Sequence, residues 1–66
     1  MTYYLIRLNN GGALLAKDYH DISSTEYRVE AIAKKGEYTY DVLKQDVLDI
    51  EEITHERLNK IINNEK

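Results

Sequence analysis

From Tyr27 to Val42 apolar and polar side chains alternate, and the chain folds back on itself around Lys35-Gly36. Alternation with a period of two is the mark of a strand with one face turned inward. Strand 3 is read over Glu26 to Ala33, with Tyr27, Val29, Ala31 and Ala33 inward and Arg28, Glu30, Ile32 and Lys34 outward. Strand 4 is read over Tyr38 to Lys44. With Lys35-Gly36 at the tip, Ala33 faces Tyr38, Ala31 faces Tyr40 and Val29 faces Val42. Small side chains opposite bulky rings fix such a register. A bulge at Gly36 is the alternative and moves the register by one.

An earlier strand, Tyr3 to Leu8, runs into Asn9-Asn10-Gly11-Gly12. Asn-Gly favours a two-residue turn because both central positions need positive φ. With Asn10-Gly11 at the tip, Leu8 pairs with Ala13, Ile6 with Leu15 and Tyr4 with Lys17. The other face then carries Leu5 opposite Ala16 and Arg7 opposite Leu14. This hairpin is apolar on both sides, unlike a sheet with one face in water. Its second face needs a cover, either the C-terminal helix or another molecule. Asp18 to Thr25 reads as the end of strand 2 passing into a polar loop.

Beyond Gln45 two readings stay open. In the favoured one, Gln45-Asp46 makes a tight turn, Val47 to Glu52 is a short fifth strand, and a helix begins at Thr54. Thr54 suits an N-cap, Glu56 suits the first turn, and Ile53 with Leu58 stand where a hydrophobic staple places them. Leu58, Ile61 and Ile62 form its apolar stripe. In the other, Leu43, Val47, Ile50, Leu58 and Ile61 line one long helix against a four-stranded antiparallel sheet. The expected class is mainly β with a C-terminal helix: one small domain over 1–66, a β-rich body over 1–53 and a helix over 54–63.

Two hairpins, a one-turn break, a short last strand and a terminal helix resemble the small SH3-like and Sm-like barrels. The resemblance is carried by Tyr4-Leu5-Ile6-Arg7-Leu8-Asn9-Asn10-Gly11 and by Tyr40-Asp41-Val42-Leu43-Lys44-Gln45-Asp46-Val47-Leu48-Asp49-Ile50-Glu51. It implies an SH3-like open barrel. Sm-like proteins read RNA through an Asp-x-x-Asn stretch and a late Arg-Gly or Lys-His pair. Asp18-Tyr19-His20-Asp21 lacks the Asn, and neither late pair occurs. The resemblance therefore implies the fold without that RNA site.

A 66-residue chain buries only about 60% of the surface its unfolded form exposes, so its stability is marginal and association is a natural staple. There is no cysteine, hence no disulfide or thiolate metal site, which suits a reducing, cytoplasmic setting. The net charge of −3 and pI near 5.2 argue against a surface built for polyphosphate. No apolar run is long enough for a membrane span, and the first residues do not read as a signal peptide. Six tyrosines stand without Phe or Trp. Half-buried strand positions and contact surfaces both favour Tyr. The Asn-, Lys- and Ile-rich style is that of short chains from phages and mobile elements of AT-rich bacteria.

Candidate chemistry is sparse. Asp18, His20 and Asp21, with Glu26 as a further donor, are expected to be a solvated loop; no metal or other cofactor is anticipated. His55 beside Glu56 lacks a nucleophile, and Gly11-Gly12 is turn chemistry, since no helix follows it. The expected role is a non-enzymatic protein-interaction or regulatory module, used as a dimer or on a larger protein partner. Its candidate contacts are Tyr3, Leu5, Arg7, Leu14 and Ile32. Two alternatives stand beside it. Arg7, Arg28, Lys34 and Lys35, with Tyr3 and Tyr19, form a nucleic-acid-binding barrel face in one. In the other, Asp46, Asp49, Glu51 and Glu52 form an acidic surface that inhibits a nucleic-acid-binding enzyme.

Overall fold

Strand-forming residues dominate up to Ile53, and in a computed structural model, which describes residues 2–64, they form five strands. These are β1 Tyr3–Leu8, β2 Ala13–Asp21, β3 Glu26–Ala33, β4 Gly36–Leu43 and β5 Val47–Ile53. A 3₁₀ turn over Lys44–Asp46 joins β4 to β5, and helix α1 spans His55–Asn64. The strands make one antiparallel sheet in the order β4-β3-β2-β1-β5. It is open, with β4 and β5 as its edges. Residues 47–53 are thus a strand, and the single long helix is excluded.

The first turn differs from expectation. Neither Asn takes a positive φ; Gly11 alone does, at +89°. Leu8 N donates to Gly12 O at 2.8 Å and Gly11 N to Leu8 O at 3.2 Å. This is a three-residue loop, a type I turn closed by a glycine bulge. Asn10 Oδ1 accepts the Gly12 amide at 2.8 Å, and Asn9 Nδ2 donates to Gln45 O at 2.7 Å. Both asparagines thus act through their side chains instead of supplying positive φ. The extra loop residue moves the register by one: Tyr4 pairs with Ala16, Leu5 with Leu15, Ile6 with Leu14 and Arg7 with Ala13. The hairpin stays apolar on both sides, but Leu14 and Leu15 exchange faces.

The second hairpin moves by two. Its centre is Lys34-Lys35, so Ala33 pairs with Gly36, Ala31 with Tyr38, Val29 with Tyr40 and Tyr27 with Val42. Both lysines keep negative φ, and Gly36 takes the positive value of 139°. Gly suits the fourth position of a type I turn. A slip of two preserves faces, so Tyr38 and Tyr40 do share the side of Val29 and Ala31. They are nonetheless 44% and 46% exposed, because nothing among the described residues closes over β4.

Two bulges complete the sheet. Lys17 is the extra residue between the pairs Ala16–Ala31 and Asp18–Glu30. Leu48 is the extra residue between Leu8–Val47 and Arg7–Asp49, and it points outward at 64% exposure.

Each face has its own core. On one, Ile6, Ala16, Val29 and Ala31 are buried, flanked by Tyr4, Leu8, Leu14, Tyr19, Tyr27, Val42, Val47 and Ile50. These come from all five strands and none from the helix, so burial requires the sheet to curl around them. The directly opposed pair of Ala16 and Ala31 lets the two strands' side chains fit into that curl. On the other face Leu5, Leu15 and Ile53 pack with Leu58 of α1, with Tyr3, Ile32, Ile61 and Ile62 around them. Thr54 Oγ1 accepts the Arg57 amide at 3.2 Å, a side-chain N-cap, and Ile53 meets Leu58 as the staple predicts.

Candidate functional site

The anticipated contacts do not form one surface. Leu5 is buried beneath α1, while Tyr3 and Ile32 pack against the same cluster. Tyr3 also stacks with His55, ring centroids 5.5 Å apart. Leu14 lies on the opposite face, in the curled core. Arg7 donates to Asp49 at 3.0 Å and to Glu51 at 2.9 Å, which holds its guanidinium above the ordinary range. The cover demanded by the two-faced hairpin is therefore the chain's own helix.

The acidic stretch is partly neutralised by the same contacts. Glu51 also accepts from Arg57 of α1 at 2.7 Å. That bond first, and the bond from Arg7 second, hold its carboxyl below the usual range. Asp46 contributes its backbone carbonyl, which accepts the Asn9 amide at 2.9 Å. Glu52 stands opposite Tyr4. Burial first, then the Glu52 charge, pushes the Tyr4 hydroxyl up. The basic residues are likewise matched. Arg28 grips Asp41 at 2.9 and 3.2 Å, lowering the Asp41 carboxyl, and Lys17 meets Glu37 at 2.6 Å. Among the described residues, the basic side chains outside ion pairs are Lys34 and Lys35, at the tip of the second hairpin.

Two features remain; sequence patterning missed the first and found the second only in part. The first is the outer edge of β4. Tyr38 and Tyr40 stand side by side there, edge to face at 5.3 Å, each half exposed. Alternation placed them inside; only the open sheet reveals them as surface. Nearby, Leu8, Asn9, Asn10, Val42 and Asp46 line a shallow cavity of about 390 Å³ between β4 and the first turn.

The second lies on the helix-bearing face, beyond the part that α1 covers. Asp18 and His20 project from β2, and Glu30 from β3 directly opposite Asp18. His20 Nε2 is 2.8 Å from Glu30 Oε2 and 3.6 Å from Asp18 Oδ2. Asp21 faces the other way, paired with Tyr27, and Glu26 is opposite Leu43. The stretch expected to be loop is strand through Asp21. Glu30 is the donor that sequence reasoning omitted: only the bulge at Lys17 brings it level with Asp18. A cleft of about 380 Å³ adjoins the cluster, with Tyr3 and Ile32 as its apolar wall and Lys17, Asp18, Glu30 and Glu37 as its polar one.

Comparison with protein-family models, curated proteins and solved structures gave no match. No helix among the described residues is long and apolar enough to cross a membrane.

Proposed function

We propose that this chain is a small non-enzymatic protein-interaction module that takes an extended segment of a protein partner along the outer edge of β4. One observation carries the reading: Tyr38 and Tyr40 keep nearly half their surface in water on an edge strand. Tyr is favoured at contact surfaces, and an edge strand offers unpaired N–H and C=O groups to an added strand. The charges beside the rings are already balanced, Glu37 by Lys17 and Asp41 by Arg28. The segment that fits is apolar along the rings and acidic where it passes Lys34 and Lys35. The strand order and the 3₁₀ turn before β5 support an SH3-like open barrel as the scaffold. A cytoplasmic setting and a phage or mobile-element source are read from composition alone.

The test is selection of binders from a peptide library, followed by amide chemical-shift mapping. Selected peptides are expected to shift β4 amides and to lose binding to the Tyr38→Ser/Tyr40→Ser variant. Peptides that map to another face, or bind that variant unchanged, overturn the reading.

A second reading, a nucleic-acid-binding barrel, has one observation in its favour. Tyr4, Tyr19 and Tyr27 form a row across three strands, with centroids 5.0 and 5.7 Å apart and Lys44 Nζ 5.1 Å over Tyr27. Such rows stack bases. Titration with single-stranded oligonucleotides separates the two. Micromolar binding that weakens steeply with salt establishes the second reading at the expense of the first.

A further inference from the structure

We propose that Asp18, His20 and Glu30 form a binding site for a divalent first-row transition-metal ion of the Zn²⁺ class. The three donor atoms, one imidazole nitrogen and two carboxylate oxygens, all lie within 4.8 Å of one another. Zn–N and Zn–O bonds of about 2.0–2.2 Å put donors on one tetrahedral ion roughly 3.3–3.6 Å apart. The His20–Asp18 separation of 3.6 Å already meets that figure, and the His20–Glu30 separation of 2.8 Å is a hydrogen bond a metal ion would open.

The donors are aimed by groups outside the triad. Asp18 Oδ1 accepts the Tyr19 amide at 2.8 Å, which turns Oδ2 toward the ring. Glu30 Oε1 lies 4.0 Å from Lys17 Nζ, which leaves Oε2 for the ring. Such outer partners orient ligands and raise affinity. The backbone beneath is fixed, because Asp18 pairs with Glu30 and His20 with Arg28 across adjacent strands. Two carboxylates, Asp18 and Glu30, lie against the ring, while the nearby Glu37 and Asp41 are already paired with Lys17 and Arg28. The nitrogen donor selects Zn²⁺, Ni²⁺ or Cu²⁺ over the oxygen-seeking Ca²⁺ and Mg²⁺. Water fills the remaining coordination position.

Binding needs the Nε2 lone pair. A neutral ring with its proton on Nε2 shifts it to Nδ1; a doubly protonated ring releases one proton to solvent for each ion bound.

The probe is ZnCl₂ added to the full chain, followed by calorimetry and by NMR of the imidazole resonances. The chain has only one other histidine, His55, which serves as an internal reference. One-to-one binding is expected, with the His20 ring signals moving and the His55 signals still. His20→Ala and Asp18→Asn should each weaken binding at least tenfold, by comparison with the 10–100-fold losses seen for outer-shell partners. Both positions are exposed, so circular dichroism should show the fold intact. A fivefold excess of Mg²⁺ or Ca²⁺ should leave the isotherm unchanged. The proposal is overturned if the His20 resonances do not move at millimolar Zn²⁺. It is equally overturned if His55→Ala removes binding as fully as His20→Ala, or if Ca²⁺ competes on equal terms.

Discussion

Glu51 on β5 holds Arg57 on α1 at 2.7 Å, and its second oxygen accepts from Arg7 on β1 at 2.9 Å. One carboxylate thus ties the helix to two strands at the rim of the apolar contact it covers. Both arginines lower its carboxyl from the ordinary 4.5, so the folded state holds its proton less tightly than the unfolded chain. The stabilisation is full above the ordinary value and disappears as pH falls through the lower folded one. Glu51→Gln should lower the urea midpoint at pH 7 and flatten its decline below about pH 4.5. All three side chains are partly exposed, so salt should erode the difference. A variant that keeps the wild-type acid profile would show that the bridge does not stabilise the fold.

Thr54 caps α1 through the bond from the Arg57 amide. Thr54→Ala leaves that amide to water and should cost about 0.5–2 kcal/mol in urea unfolding, with Thr54→Ser recovering most of it. Equal losses in both variants would place the effect in packing of the Thr methyl and not in the cap.

Gly11 sits at φ +89° with nothing within 4 Å of an added Cβ. The cost of Gly11→Ala is therefore conformational alone, about 1–3 kcal/mol, and Gly11→Asn should cost less because Asn tolerates the left-handed region. Urea midpoints for both variants test this order; Ala matching Asn would argue against the bulged loop.

The same glycine shows where sequence reading succeeds and fails. The strands, the break before β5 and the capped helix were legible, because alternation, the Thr54 cap and the Ile53–Leu58 staple are local signals. Register was not. Asn9 and Asn10 spend their side chains on Gln45 and Gly12, a tertiary and a local bond that the Asn-Gly dipeptide does not announce. Lys34-Lys35 turns with negative φ at both positions, leaving Gly36 to follow it. The bulge at Lys17 has no sequence signature, yet it sets Glu30 beside Asp18 and His20. Tyr38 and Tyr40 read as interior because pleating reports the face of a strand and not whether the sheet closes over it.

A fully buried and a largely exposed apolar residue give a paired test. Ile6 is 1% exposed in the curled core, whereas Leu48 is the outward bulge residue. Ile6→Ala should cost about 2–5 kcal/mol, enough to unfold much of a domain this small, while Leu48→Ala should stay within about 0.5 kcal/mol. Thermal or urea denaturation of the pair gives the comparison; similar losses would mean that Leu48 packs in solution.

The last test concerns what α1 covers. Leu58 is buried against Leu5, Leu15 and Ile53, with Ile61 and Ile62 beside it. A carboxylate at that position has no partner in the apolar contact, so Leu58→Asp should release the helix. Release uncovers Leu5, Leu15 and Ile53 together with Tyr3 and Ile32, a contiguous apolar patch on a chain too small to hide it again. The wild type is expected to sediment as a monomer at tens of micromolar, because the helix already does what a second copy was expected to do. Leu58→Asp should instead associate with rising concentration or lose its cooperative unfolding. Leu58→Met, which keeps the volume, should behave as wild type to within about 1.5 kcal/mol. A wild-type dimer, or a Leu58→Asp variant that stays monomeric and fully folded, would mean that another surface governs association and that the helix is dispensable to this face.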